Sequence, residues 1–142
     1  MTAIAQRILL VDDDPEDRAI MKEIIDYTPG KDTLWFAENG EDALRKLDAF
    51  YISGHIPCLI VLDLNMPRMN GTQTLSFLKA DQRFRDIPVI IYSTSINLLE
   101  KDKCMRLGAH SYIAKPISYK ESMDTASLFN QFCAEVDSQQ SL

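Results

Sequence analysis

Short, continuously apolar runs recur along the chain and constrain its fold more than any other feature of the sequence. We predict five β-strands, over Arg7–Val11, Thr33–Ala37, Cys58–Leu62, Ile87–Tyr92 and Ser111–Ala114. Within these runs apolar residues follow one another, whereas a strand with one solvated face would alternate apolar and polar residues. Strands of this kind are typical of a parallel sheet that is covered on both faces.

Amphipathic segments fill the intervals between the apolar runs. In one of them Ala43, Leu44 and Leu47 lie on one helical face, and another starts with Asp14 before Pro15, a typical N-cap followed by proline. We predict five helices, over Pro15–Tyr27, Gly40–Phe50, Thr72–Lys79, Leu98–Leu107 and Ser118–Val136. The alternation of strands and helices predicts a doubly wound α/β fold with three layers.

The composition fits one soluble domain with a sizeable core, since 46% of the 142 residues are hydrophobic. A net charge of −6 disfavours non-specific binding to nucleic acid or to anionic membranes. No apolar run approaches the ~20 residues of a membrane span, and the first residues lack a signal-peptide core. We therefore expect a cytoplasmic, single-domain protein over residues 1–142, with a core at about 7–136, a polar tail at 137–142 and no output domain.

The three cysteines, Cys58, Cys104 and Cys133, are odd in number and widely spaced. No CxxC pair or Cys–His cluster accompanies them, so the sequence does not predict a zinc site. We expect all three to be free thiols that pack as small apolar side chains, which fits a reducing compartment.

Chemically active side chains follow four of the five predicted strands. They are Asp12-Asp13-Asp14 after the first strand, Asp63 after the third, Ser93-Thr94-Ser95 after the fourth and Lys115-Pro116 after the fifth. Functional groups of parallel α/β sheets gather at the carboxyl ends of the strands. We therefore expect acids, hydroxyls and a lysine to meet at one edge of the sheet.

This combination of groups favours phosphoryl chemistry. Clustered carboxylates repel one another unless a cation lies among them, and oxygen ligands with open positions suit Mg²⁺. A carboxylate can also attack phosphorus and form an acyl phosphate, so Asp63 is predicted to accept a phosphoryl group. Taken singly, each motif has an ordinary explanation: DDDPED is typical of a solvated helix start, and an Asp after a strand is typical of a turn.

Four motifs in this order resemble the receiver domain of two-component response regulators, across about Arg7 to Val136. They are ILLVDDD (Ile8–Asp14), LIVLDLNMPRMNG (Leu59–Gly71), IPVIIYSTS (Ile87–Ser95) and GAHSYIAKP (Gly108–Pro116). The resemblance implies a flavodoxin-like, CheY-like fold with strand order 2-1-3-4-5. It also implies a stand-alone switch, which is not an enzyme apart from its own phosphorylation and dephosphorylation.

The resemblance implies that a sensor histidine kinase, or a histidine phosphotransfer protein, donates a phosphoryl group to Asp63. Asp13 and Asp63 would ligate Mg²⁺, or Mn²⁺ in its place, together with the backbone carbonyl of Asn65. Asp12 would act largely through a water molecule. Lys115 would pair with Asp63 and then with the phosphoryl oxygens.

Further positions match residues that respond to the phosphoryl group in this family. Ser93 would move to hydrogen-bond it, and Tyr112 would turn inward as Ser93 moves; the alternative for Tyr112 is an ordinary half-buried aromatic. Thr94 flanks the path of the hydrolytic water, and its branched side chain is expected to slow dephosphorylation. The Lys115–Pro116 peptide bond is commonly cis in the family, so it is a candidate cis bond here.

The last predicted helix carries a candidate interface. Four of its residues are expected to face the core, namely Met123, Ala126, Phe129 and Cys133. Leu128 and Phe132 would then point away from the core, unless the helix is rotated and buries them. The resemblance places output on the fourth helix, fifth strand and fifth helix, through an unknown downstream protein, a homodimer or onward phosphotransfer. No nucleic-acid or membrane partner is expected.

Other interpretations stay open at this point. A haloacid-dehalogenase-type phosphohydrolase also uses an Asp nucleophile, but after its first strand, whereas Asp63 follows the third. A flavodoxin-like cofactor binder would share the fold, but acids at the edge of the sheet would repel a flavin phosphate. A phosphorelay intermediate, or a receiver that binds partners without phosphorylation, would carry the same motifs. Ser93-Thr94-Ser95, with Phe129 and Phe132, resembles stand-alone receivers such as the cyanobacterial phytochrome response regulators.

Overall fold

The computed structural model describes residues 7–27, 33–94 and 96–140 and has five strands and five helices in these ranges. The elements in chain order are β1 (Arg7–Val11), α1 (Pro15–Tyr27), β2 (Thr33–Ala37), α2 (Gly40–Ser53), β3 (Leu59–Asp63), α3 (Gly71–Ala80), β4 (Val89–Ser93), α4 (Leu98–Arg106), β5 (Ser111–Ala114) and α5 (Tyr119–Gln140). Among the described residues, no helix has the length and apolar character that crossing a membrane requires.

The five strands form one parallel sheet in the order β2-β1-β3-β4-β5, as predicted. Ile8 and Leu10 of β1 pack against residues of α1 and α5, which cover one face. Leu9 and Val11 pack against residues of α2, α3 and α4, which cover the other. Because both faces are buried, the positions of a central strand that lie inside the core are apolar, and this explains the continuous apolar runs in the sequence.

Strands β3 and β4 each end one residue later than the sequence predicts. Asp63 and Ser93 are therefore the last residues of these strands rather than the first residues of loops. Asp63 pairs in register with Tyr92, and Ser93 pairs with Ala114. The sheet register thus fixes the backbone of both residues.

Capping residues and glycines at the helix ends determine where several of the helices begin and end. The helix α2 runs to Ser53, three residues beyond its predicted end, and Gly54 closes it at φ 79°. Asn70 and Gln73 form a capping box at the start of α3, in which each side chain accepts a hydrogen bond from the other's backbone N–H. Gly108 follows Leu107, the C-cap of α4, at φ 107°, a left-handed conformation that glycine adopts readily after a helix.

The core-facing side of α5 differs from the prediction at one residue. Up to residue 134, where side-chain burial is described, its buried residues are Ser122, Ala126, Phe129 and Cys133, whereas Met123 is 49% exposed. Leu128 is 44% exposed, as expected, and Phe132 is half-buried, with its ring in a T-shaped contact with the ring of His110. The helix also continues to Gln140, so the predicted polar tail is helical up to that residue, and residues 141–142 lie outside the described part.

The prediction of three free cysteines is wrong for two of them. Cys58 and Cys133 form a disulfide across 75 residues of sequence, while Cys104 is free and buried. Cys58 lies just before β3, and Cys133 is on the buried side of α5, which packs on β3. This packing brings their Cα atoms to 5.5 Å, within bonding range, and sequence spacing alone carries no information about that distance.

Candidate functional site

Three carboxylates meet at the carboxyl end of the sheet. Asp12 directly follows β1, and Asp63 is the last residue of the neighbouring strand β3. Asp12, Asp13 and Asp63 each present a carboxylate oxygen, and these oxygens lie within 4.8 Å of one another. Asp12 and Asp63 are buried at 0% and 3% exposure, while Asp13 is exposed. The site thus has a buried interior and one side open to solvent.

The donor set fits a hard divalent cation. Mg²⁺ binds oxygen ligands at about 2.0–2.1 Å in octahedral geometry, so opposite ligands are about 4 Å apart, close to the spread of these oxygens. Asp12 Oδ2 is buried and no hydrogen-bond donor of the described residues is aligned on it. An oxygen-only cluster with a buried carboxylate oxygen that accepts no aligned hydrogen bond can therefore hold Mg²⁺ or Mn²⁺.

Backbone amides hold one oxygen of each buried carboxylate. The N–H of Asp14 donates to Asp12 Oδ1 at 3.0 Å, and the N–H of Asn65 donates to Asp63 Oδ1 at 3.1 Å. The guanidinium of Arg18 donates to the backbone carbonyl of Asp12 at 2.7 Å. These contacts fix the carboxylates in place, and the Oδ2 atoms of both face the next group, Lys115.

The ammonium of Lys115 lies among three acids. Its Nζ is 3.0 Å from Asp12 Oδ2 and 3.3 Å from Asp63 Oδ2, and the lysine side chain is only 10% exposed. Of these two pairs, the sequence motifs predict only the one with Asp63, and the pair with Asp12 is a finding of the structure. The motifs also do not predict a third pair, to Asp17 Oδ2 at 2.9 Å, because in the sequence Asp17 is part of a typical solvated helix start.

The remaining predicted residues surround this cluster. Ser93 is buried, and its backbone carbonyl accepts a hydrogen bond from the N–H of Lys115. Thr94 is exposed at the edge, and Ser95 lies outside the described residues. Tyr112 is 6% exposed and packs on the face covered by α2, α3 and α4, so its side chain is already turned inward.

The expectation of a cis peptide bond between Lys115 and Pro116 is wrong. The bond is trans, as are all peptide bonds of the described residues. Trans is the intrinsically favoured isomer before proline, by about 0.5–1 kcal/mol, and neither residue type specifies the rarer form.

A cleft of about 500 Å³ lies beside the exposed side of the cluster. Its lining comes mostly from the loop between β3 and α3, and comprises Asp13, Leu64, Asn65, Met66, Pro67, Asn70, Thr72 and Glu100. The cleft therefore gives a small molecule access to Asp13 and Asn65.

Burial changes the protonation of the buried carboxylates. It raises the pKa of Asp63 to about 6, against the opposing effect of the Lys115 ammonium. It also raises the pKa of Asp12, although the hydrogen bond from the Asp14 amide opposes this. Burial alone would lower the pKa of Lys115, but its close contacts with the carboxylates of Asp17 and Asp12 outweigh burial and raise it. Lys115 therefore stays charged while Asp63 titrates near pH 6.

These shifts predict that the metal-free protein is more stable at pH 5 than at pH 7. Because the folded-state pKa of Asp63 rises from 3.8 to about 6, its stabilising contribution is complete below about pH 4 and is lost as pH rises through about 6. We expect urea denaturation in EDTA to give a free energy of unfolding about 1 kcal/mol higher at pH 5.

The variant Asp63→Asn is the control for this pH effect. The variant carries no titratable group at this position, so we expect it to be more stable than the wild type at pH 7. Its free energy of unfolding should also differ much less between pH 5 and pH 7 than that of the wild type. An undiminished difference in Asp63→Asn would show that other groups cause the effect.

Comparisons with known proteins agree with this geometry. The family model of the response regulator receiver domain matches residues 8–127. The chemotaxis protein CheY1 of Helicobacter pylori strain J99 is 34% identical over 112 residues, which cover 79% of this chain and 86% of that protein. A protein-glutamate methylesterase/protein-glutamine glutaminase of Treponema denticola is 41% identical over 112 residues, or 78% of this chain but only 28% of that enzyme.

Solved structures give the same result. The phosphorylated cyanobacterial phytochrome response regulator RcpA superposes with a TM-score of 0.83 at 26% identity, over 92% of this chain and 95% of that one. The Mn²⁺-bound response regulator Rcp1 superposes with a TM-score of 0.79 at 26% identity, over 88% of this chain and 94% of that one. With a family match that spans most of its length and the acidic cluster at the expected edge of the sheet, the chain belongs to the response regulator receiver domains.

Proposed function

We propose that this receiver is a phosphorylation-controlled signalling switch that accepts a phosphoryl group on Asp63 from a sensor histidine kinase. The observation that carries the proposal is the position of the Asp63 carboxylate. It lies at the end of β3, inside the acidic cluster, 3.3 Å from the Lys115 ammonium and close to an open cleft. Two structural neighbours, phosphorylated RcpA and Mn²⁺-bound Rcp1, support the same chemistry.

In the proposed reaction an oxygen of ionised Asp63 attacks phosphorus, and the bond from phosphorus to the donor's histidine nitrogen breaks. Above about pH 6 the carboxylate is mostly ionised and can act as the nucleophile. Lys115 Nζ then pairs with the oxygens of the transferred group. No other covalent step is needed, because phosphoryl transfer depends mainly on positioning and charge neutralisation.

The metal site of this proposal uses the same carboxylates. Asp13 and Asp63 would hold Mg²⁺ or Mn²⁺ directly, with the backbone carbonyl of Asn65, and Asp12 would contribute largely through a water molecule. A bound divalent ion supplies positive charge against the oxygens of the transferred group. The exposure of Asp13 leaves coordination positions open to those oxygens.

The proposed response starts at Ser93, whose hydroxyl would hydrogen-bond the phosphoryl group. The side chain of Tyr112 is already turned inward, which is the orientation proposed to accompany the movement of Ser93 toward the phosphoryl group. Thr94, exposed beside the site, would restrict the water that hydrolyses the aspartyl phosphate.

The proposed output surface comprises α4, β5 and α5. Several large apolar side chains on or beside these elements are exposed: Ile96, Leu98, Leu99, Ile117 and Leu128. Exposed apolar patches on small domains commonly mark protein contacts, so we propose a downstream protein or a second copy of the chain as the partner. Phe132 contributes less to this surface, because it is half-buried against His110.

Two alternatives share this site. In a phosphorelay, Asp63 would pass its phosphoryl group on to a histidine phosphotransfer protein. In a phosphorylation-independent receiver, the same fold would bind its partner without modification. Membership of the receiver family is inconsistent with the haloacid-dehalogenase and flavodoxin-type interpretations.

The experiment that tests the proposal is intact-mass spectrometry after incubation with acetyl phosphate and Mg²⁺. We expect one added phosphoryl group in the wild type and none in Asp63→Asn or in the presence of EDTA. Asp26→Asn, an exposed acid of α1 that pairs with Lys22, is a matched control and should be modified like the wild type. Size-exclusion chromatography of the same samples would show whether modification causes self-association.

Two results would contradict the proposal. If the wild type gained no phosphoryl group and also failed to bind beryllofluoride, the phosphorylation-independent alternative would replace it. If Asp63→Asn were modified to the same extent as the wild type, a different residue would be the acceptor.

A further inference from the structure

Lys115 has one more acidic partner than the proposed chemistry requires. Its Nζ is 3.0 Å from Asp12 Oδ2 and 3.3 Å from Asp63 Oδ2, but the shortest of its three ion pairs, at 2.9 Å, is with Asp17. Asp17 is not one of the three carboxylates that form the candidate metal cluster. Its contact with Lys115 therefore needs an explanation of its own.

Asp17 approaches the lysine from a separate crevice. It is the third residue of α1 and lines a small cavity of about 40 Å³ with Tyr92, Lys115, Pro116 and Ser122. This cavity lies on the face of the sheet covered by α1 and α5, apart from the cleft beside Asp13 and Asn65. The ammonium is thus held between the acidic cluster and the first turn of α1.

A phosphoryl group on Asp63 would compete with the present partners of the Lys115 ammonium. An ammonium has three N–H donors, and three carboxylates already surround Nζ. A phosphoryl group on Asp63 would bring further charged oxygens to this ammonium. Phosphorylation removes the negative charge of the Asp63 carboxylate, so the contact of Lys115 with Asp63 passes to those oxygens, and Asp12 and Asp17 are the two partners that still compete with them for the ammonium.

Burial decides which partner is released. The side chain of Asp12 is 0% exposed, so losing the lysine would leave an unpaired buried charge, which is strongly unfavourable. The side chain of Asp17 is 35% exposed, so water can solvate its carboxylate after release. The pair with Asp17 is therefore the one that breaks at the lowest cost.

We propose that Asp17 is a positioning residue that holds Lys115 in the unphosphorylated protein and competes with the phosphoryl group for its ammonium. This inference rests on the proposed function, because it assumes that Asp63 carries the phosphoryl group. If the inference holds, the affinity of the site for a phosphoryl group depends on Asp17, a residue of α1. The ion pair between Asp17 and Lys115, which links α1 to the residue after β5, would then break on phosphorylation.

The test is the affinity for beryllofluoride, a phosphoryl mimic, at saturating Mg²⁺, measured by calorimetry for the wild type and for Asp17→Asn. The asparagine keeps the shape of the side chain but removes its charge, so Lys115 is held less strongly. We expect the Kd of Asp17→Asn to be about threefold to tenfold lower than that of the wild type. Glu16→Gln removes the same charge from the same helical turn, from an exposed residue with no ion pair to Lys115, and should change Kd by less than about twofold.

A double-mutant cycle separates positioning from a general loss of negative charge. If Asp17 acts through Lys115, Asp17→Asn should not increase affinity when Lys115 is replaced by alanine. Circular dichroism would show that each variant is folded, and Asp17→Glu should restore a Kd near that of the wild type.

The outcomes distinguish this inference from the proposed function. A wild type that binds beryllofluoride, with Asp17→Asn equal to it or weaker, would overturn the role of Asp17 alone. An equal gain in the Lys115→Ala background would also overturn it, since the effect would then be a general electrostatic one. A wild type that binds no beryllofluoride would overturn both.

Discussion

Replacing Gly71 with alanine is expected to lower the free energy of unfolding by about 3 kcal/mol. A Cβ atom at this position would lie 2.4 Å from the backbone oxygen of Asp63 and 2.6 Å from Cα of Leu64. Both atoms belong to the backbone at the end of β3, so no side-chain rotation can relieve the clash. Urea denaturation of Gly71→Ala and the wild type, in the same buffer, measures the difference.

The same substitution is expected to impair the site. Relief of the clash must move either the start of α3 or the backbone of Asp63, whose carboxylate depends on that backbone for its position. We therefore expect weaker binding of beryllofluoride as well as lower stability. This coupling explains why a glycine closes the loop that follows Asp63: it lets the first turn of α3 pack directly on the strand end.

Gly54→Ala is the matched control for Gly71→Ala. Gly54 has φ 79°, and a Cβ atom added there would meet no other atom within 4 Å, so alanine would add backbone strain without a clash. We expect Gly54→Ala to lower the free energy of unfolding by about 1 kcal/mol and to leave the affinity for beryllofluoride unchanged. If Gly71→Ala were no more destabilising than Gly54→Ala, the close contact with Asp63 would not be a real constraint.

The fold was predictable because its signal is local. Continuous apolar runs such as those of β1 and β3 arise from burial on both faces of a parallel sheet, and the structure confirms that burial. The ends of the strands were less predictable, since Asp63 and Ser93 are polar residues that still pair within the sheet. Hydropathy alone would end a strand before such residues.

The parts of the site that could not be predicted depend on contacts between distant elements. The pair of Asp17 with Lys115 requires the first turn of α1 to lie next to the end of β5, 98 residues further along the chain. In the sequence Asp17 is one acid in a typical helix start, so its partner has no local signal. The exposure of Met123 likewise depends on how α5 is rotated about its axis on the sheet. The apolar residues of the helix are compatible with more than one rotation, so the sequence did not determine it.

Reduction of the disulfide between Cys58 and Cys133 is expected to lower the free energy of unfolding by about 2–4 kcal/mol. The bond closes a loop of 75 residues, and a cross-link of that length removes considerable conformational freedom from the unfolded chain. Urea denaturation with and without dithiothreitol measures the effect. A Cys58→Ser variant cannot form the bond, so its stability should not respond to the reductant.

Counting thiols tests the premise of this prediction. Unfolded without reductant, the oxidised protein should react with one equivalent of a thiol reagent, at Cys104, and after reduction it should react with three. Three reactive thiols before reduction would show that the bond does not form.

Because the disulfide joins α5 to the residue before β3, we expect its loss to increase amide hydrogen exchange mainly in α5. The effect would then fall on an element of the proposed output surface, while the hydrogen bonds that hold Asp12 and Asp63 stay intact.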